Sequence, residues 1–143
     1  MDDSWNLQRF VLAQQSHYDN VLAELRTGRK RSHWMWFIFP QIKGLGHSEM
    51  ARKFAIASLD EAVAYLRHPL LGKRLRECSG LVAAIEGRTA GQIFGYPDDM
   101  KFHSSMTLFS EAGKDEGDEI FRQCLHKYFA GKPDPATLVQ LGR

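Results

Sequence analysis

The chain has 143 residues, of which 43% are hydrophobic and 25% charged, with a formal net charge of +2 and an isoelectric point near 8.6. That length suits one domain with a sizeable core, and that balance excludes an intrinsically disordered chain. The basicity falls short of the isoelectric point above about 9 that marks a nucleic-acid binder by composition; it argues against nucleic acid as the main partner and makes any positive field local.

The opening MDDSWNLQRF lacks the basic and apolar regions of a secretory leader, and no window reaches the length of a membrane span. Leu7, Phe10, Val11, Gln14, Tyr18, Val21, Leu22 and Leu25 recur at steps of three and four. This predicts one apolar helix face, with Ser4 or Asn6 as cap, a break near Ser16 and a stop at Gly28. Gln14 lies on that face and needs a partner inside the protein.

Next comes GRKRSHWMWFIFPQIKGLGHS, Gly28 to Ser48. Arg29, Lys30, Arg31 and His33 run directly into six large apolar residues, Trp34 to Phe39. As a strand WMWFIF would be apolar on both faces, and no other segment has the alternation to pair with it. It reads as a short buried helix, capped by Ser32 and stopped at Phe39, because proline disfavours helix in the residue before it. An isolated extended core segment is the alternative.

Ser48 can cap a helix from Glu49 to about Ala57. SLDE, Ser58 to Glu61, has the form of a capping box, with Leu59, Ala62, Val63 and Leu66 as the buried stripe. Pro69 opens a helix carrying Leu71, Leu75, Cys78, Val82 and Ile85, which ends at Gly87. Thr89 caps a short turn to Phe94. Pro97 opens a helix to about Ser110, with Phe102, Met106 and Phe109 inward and Ser105 on their face; Lys101 and Ser104 share another. A polar loop, EAGKDEGDE, leads to Ile120–Phe129, and Asp134 and Pro135 start a last short helix. Cys78 and Cys124 fit no metal or redox spacing and sit at apolar helix positions, which predicts buried free thiols and a reducing cytoplasm. The expectation is an all-α fold: a single compact domain, 1–143, of about seven short to medium helices packed around a central apolar helical segment.

Five stretches carry a resemblance: LQRFVLAQ, LAELRTGRKRSHWMWFIFPQIKGLG, AYLRHPLLGKRLRE, IFGYPDDMKFHSSMTLF and LHKYFAGKPDPATLVQL. Together they resemble a bacterial domain-of-unknown-function family, of the type seen in a mycobacterial hypothetical protein and sometimes labelled calpastatin-like. The resemblance implies an all-α domain and brings no activity, cofactor or catalytic residue with it. The calpastatin label fails on physics. Calpastatin segments are disordered until they fold on their target, whereas this chain is rich in core-forming helices.

Two constellations suggest chemistry. A guanidinium fork beside an indole suits a planar anion, which singles out Arg29, Arg31, His33 and Trp34. The polar run from Lys101 to Thr107, with Ser104 and Ser105, is the second, and Gln41 lies between the two in sequence. The leading expectation is therefore a site for an anionic, nucleotide-like or phosphorylated small molecule, walled by these residues. His33 and His103 are the candidates for acid–base work, because imidazole titrates near neutrality. KGLGHS, Lys43 to Ser48, is too short for a phosphate-binding Walker loop. The six histidines are scattered, so neither a metal nor another cofactor is expected. The competing expectation is a non-catalytic interaction module whose basic rim meets an acidic protein or RNA. A monomer is expected.

Overall fold

The computed structural model describes residues 3–143. Among them are ten helices, six of seven residues or more, and no strand. The first apolar face is carried by α1 (Gln8–Gln15) and α2 (Tyr18–Arg26), broken at Ser16 and His17 as expected. Asp3, not Ser4 or Asn6, closes the start: its carboxylate accepts the amides of Leu7 at 2.6 Å and Gln8 at 3.1 Å. The central segment forms one turn, α3 (Met35–Ile38). Then follow α4 (Glu49–Lys53), α5 (Leu59–Arg67), α6 (Leu71–Ala84), α7 (Ala90–Phe94), α8 (Asp98–Ala112), α9 (Ile120–Phe129) and α10 (Pro135–Gln140). The count exceeds seven because α3, α4, α7 and α10 are separate pieces of six residues or fewer.

Three local expectations are corrected. Helix α4 stops at Lys53 instead of Ala57, because the backbone of Ile56 pairs with the preceding loop. Ile56 N donates to Gln41 O at 2.9 Å and Lys43 N to Ile56 O at 2.8 Å, a single parallel bridge between Ile42 and Ile56. Ser32 does not cap α3; its hydroxyl goes to Glu24. Only half of the SLDE box forms. Ser58 Oγ accepts from Glu61 N at 3.2 Å, but the Glu61 carboxylate turns to Arg9 and to Ala57 N. The full capping box is at α7, where Thr89 and Gln92 satisfy each other's amides.

Helix α8 is buried almost all round, and it packs against α3, α5, α7, α9 and α10. The Trp34–Phe39 segment plugs into it. Phe39 meets Phe102 edge-on at 5.0 Å between ring centres and Phe94 at 6.0 Å, while Phe37 faces the other way, onto Phe54 at 5.5 Å. Gln14 finds its inside partners: its amide nitrogen donates to Phe37 O at 2.7 Å and Tyr65 Oη at 3.1 Å, and its oxygen accepts from Arg74 at 3.3 Å. Both thiols are free and buried. Burial pushes each up to about 12. Cys78 lies 3.8 Å from the Tyr18 hydroxyl, linking α6 to α2, and Cys124 donates to Ser79 O at 3.4 Å, linking α9 to α6.

Candidate functional site

The basic stretch is organised from below by one carboxylate. Glu24, buried at the end of α2, accepts on Oε1 from the amides of Arg31 (2.6 Å) and Ser32 (2.9 Å) and from Trp34 Nε1 (3.0 Å). Its Oε2 accepts from Ser32 Oγ at 2.6 Å and Asn20 Nδ2 at 2.7 Å. Burial is the largest influence on this carboxyl and pushes it up. The Ser32 hydroxyl, the Arg31 and Ser32 amides and the Trp34 indole together outweigh that and hold it down at about 2. The consequence is geometric: the backbone of Arg31 and Ser32 turns inward, and the Arg31 and His33 side chains are left in solvent without hydrogen-bond or ion-pair partners among the described residues. Trp34 itself is 0% exposed.

Lys30 takes the opposite course. Its ammonium is nearly buried, 2.8 Å from Asp98 Oδ2 and 5.2 Å from the centre of the Trp34 ring. Lys101 Nζ reaches the other oxygen of Asp98 at 3.4 Å and lies 4.9 Å over Trp36. The two cation-bearing stretches therefore meet at Asp98, through two lysines each set against an indole. The meeting point is a packed ion-pair junction. The concave surface lies beyond it, on the Lys101 side.

That surface is a cleft of about 390 Å³ between the Gln41–Gly46 loop, the start of α8 and the start of α10. Gln41, Lys101, His103 and Ser104 line it, with Asp134 opposite and Tyr96 and Met100 on its edge. Tyr96 is 83% exposed and follows Gly95 into a cis peptide bond with Pro97. The loop wall is fixed by close approach. A Cβ on Gly44, where φ is +100°, would stand 2.8 Å from Gln140 Oε1, and one on Gly46 would stand 2.7 Å from Ala51 Cβ.

The cleft offers donors and acceptors together. Ser104 Oγ donates to Met100 O (3.1 Å) or Asp134 Oδ2 (3.0 Å), so its lone pairs stay open as acceptors. Asp134 is held by Thr137, whose amide and hydroxyl donate to Oδ2 at 3.1 and 2.6 Å. The ring of His103 lies flat on Phe129, 3.9 Å between centres, and its Nε2 is 2.7 Å from Lys132 O. A carbonyl only accepts, so Nε2 carries the proton and Nδ1 is the acceptor of the neutral ring. Gln41 makes no side-chain hydrogen bond among the described residues.

The residues singled out in the sequence thus divide. Gln41, Lys101 and Ser104 share the cleft, together with His103. Arg29 lies instead on an open hollow of about 480 Å³ with Arg88, Gly91 and Gln92. Ser105 is fully buried on the core face of α8, its hydroxyl without a hydrogen-bond partner among the described residues. Asp134 and Tyr96 lie outside both constellations read from the sequence. Asp134 carries the one sequence signal, a helix cap before proline, but nothing in spacing foretells that it also receives Ser104 thirty residues away. No group of three or more metal-ligating side chains occurs among the described residues, and no helix there is long and apolar enough to cross a membrane.

This all-helical arrangement has a counterpart. The crystal structure of the conserved hypothetical protein Rv1873 from Mycobacterium tuberculosis is similar, with a TM-score of 0.95 and 51% sequence identity, over 99% of this chain and 99% of that one. No curated protein matches the chain. Residues 4–141 match the family described as protein of unknown function (DUF1810), and with so nearly complete a match the chain belongs to that family.

Proposed function

We propose that the cleft between the Gln41–Gly46 loop and α8 binds an anionic small molecule of nucleotide-like character. The observation that supports this reading is the convergence of Gln41, Lys101, His103 and Ser104 on one concave surface edged by an exposed tyrosine. Lys101 supplies the charge. Its 3.4 Å contact to Asp98 is the looser of the two that carboxylate makes, so the ammonium can turn to a ligand while Lys30 keeps Asp98 neutralised. Gln41 adds amide donors. Ser104 and Asp134 accept, which suits a ligand that carries hydroxyl or amino donors besides its anionic group and disfavours a bare oxyanion. Tyr96 offers a ring face to a planar portion. Any acid–base chemistry in the cleft falls to His103, through Nδ1.

Thermal-shift titration with ATP, ADP-ribose and inorganic phosphate tests the reading. The nucleotides are expected to raise the midpoint at millimolar concentration and inorganic phosphate to do so less. Lys101→Met keeps most of the stem and removes the charge, so it should weaken the response. Arg31→Met, whose guanidinium stands outside the cleft, should respond as wild type does. If no compound shifts the wild type, or Lys101→Met responds equally, the cleft reading falls and the basic-rim interaction module takes its place.

A further inference from the structure

On the other side of the Gln41–Gly46 loop lies a second hollow, of about 540 Å³, which shares with the first cleft only the wall residue Gly46. Arg9 forms its floor, and every donor group of that guanidinium is committed. Nε donates to Lys53 O at 2.8 Å and Nη1 to Trp5 O at 2.7 Å and Asn6 O at 2.8 Å; Nη2 donates to Ala55 O at 2.8 Å and Glu61 Oε2 at 2.9 Å. Glu61 Oε1 accepts from Ala57 N at 2.8 Å. The floor is therefore neutral, and the carbonyls and carboxylate around it are already paired.

The rim is the reverse. Lys43, Arg52 and Lys53 are exposed and have no carboxylate or carbonyl partner for their charged groups among the described residues. Lys53 is set over the Phe54 ring at 5.3 Å. Trp5, 38% exposed, stands on the wall. The walls are held in register by the Ile42–Ile56 bridge, which ties the segment carrying Lys43 to the one that follows Arg52 and Lys53. Spent acceptors, three unspent cations and one accessible indole select an anion that carries an aromatic ring.

We infer that this hollow binds the phosphate monoester of a molecule that also carries a planar ring, as a nucleotide does, with Arg52, Lys43 and Lys53 on the phosphate and Trp5 against the ring. The site is separate from the Lys101 cleft and does not depend on it. The chemistry has two sources, a free nucleoside monophosphate and the 5′-phosphate end of a single-stranded nucleic acid.

The experiment is a titration of the full chain, followed by ¹H–¹⁵N spectra and calorimetry, with AMP, adenosine, inorganic phosphate, and a short thymidine oligonucleotide with and without a 5′-phosphate. AMP is expected to move the Trp5 indole resonance and to bind at millimolar strength or tighter, while adenosine leaves that resonance in place. The double variant Arg52→Ser, Lys53→Ser, at two exposed positions and with the Lys53 carbonyl still free to hold Arg9, should weaken AMP about tenfold or more, the loss of one or two charged hydrogen bonds. Trp5→Ser should weaken AMP and leave inorganic phosphate unchanged. Lys101→Met should leave the Trp5 response to AMP intact even where it weakens binding to the other cleft. Preference for AMP over the phosphorylated oligonucleotide names a metabolite as the source; the opposite preference names a strand end. The inference is overturned if AMP does not move Trp5 or if the double variant binds AMP as wild type does.

Discussion

Lys30 and Lys101, seventy-one positions apart in sequence, share the two oxygens of Asp98, and each lies against its own tryptophan. The arrangement is unequal. Lys30 is nearly buried and has the 2.8 Å contact, while Lys101 is more open and has the longer one. Asp98 therefore anchors the basic stretch to α8 through Lys30 and positions Lys101 at the edge of the cleft.

Asp98→Asn should destabilise the fold by on the order of 3 kcal/mol, because it strands the buried ammonium of Lys30 without a counter-charge. Lys30→Met should cost less, since Asp98 keeps Lys101 and the methionine fills the apolar stem. Urea denaturation of the two variants checks the order. Equal losses would show that the attraction itself, and not the stranded charge, dominates.

Glu24 makes the stability depend on acid. Its carboxyl is held at about 2 in the fold against an ordinary 4.5. A depressed carboxyl contributes its full stabilisation above the ordinary value and loses it as pH falls toward the folded one. The loss should develop between pH 4.5 and 2 and amount to about 3 kcal/mol. Glu24→Gln, compared with wild type by denaturation at pH 6 and again near pH 2.5, should be less stable at the higher pH, with the gap narrowing at the lower. A constant gap would remove Glu24 from the account.

Phe37→Ala should cost about 2–5 kcal/mol, the usual range for deleting a large core side chain. Phe37 is buried, with its ring against Phe54 and His17. Ile38→Ala should fall in the same range. A denaturant midpoint within the scatter of surface variants would contradict the packing described for α3.

Gln14→Leu should cost about 1–3 kcal/mol, since the Phe37 carbonyl and one donor of Arg74 lose their partner inside the protein. Gln14→Glu should be at least as damaging, because it turns a donor into an acceptor opposite the Phe37 carbonyl. Thermal denaturation of both variants decides this.

What the sequence made legible were features written within a few residues of one another. The three- and four-residue apolar steps placed α1, α2, α6 and α9. The Thr89 and Asp134 caps are short-range patterns, and WMWFIF announced its burial by having no polar face. The contacts that build the site have no such local signature. Asp98 reaches back to Lys30, Ser104 forward to Asp134, and Arg9 across to Glu61. Each joins side chains of unremarkable type, and only the folded backbone brings them to bonding distance. The basic run shows the same limit within one stretch. Nothing in GRKRSHW says that Lys30 turns in and Arg31 out, because Asp98 draws in the first and Glu24 holds the backbone of the second, and both lie outside the run.

The two thiols can serve as clocks of the protein's own opening. A thiol held up to about 12 has almost no thiolate at neutral pH, and a buried one cannot meet a labelling reagent at all. Alkylation must therefore wait for its surroundings to part, and its rate measures how often they do. Cys78 waits on the seam between α2 and α6, and Cys124 on the seam between α6 and α9. If the chain opens as one unit the two label together at every denaturant concentration. If the N-terminal helices lift first, Cys78 leads, and mass spectrometry of a single labelling time course reads the order directly.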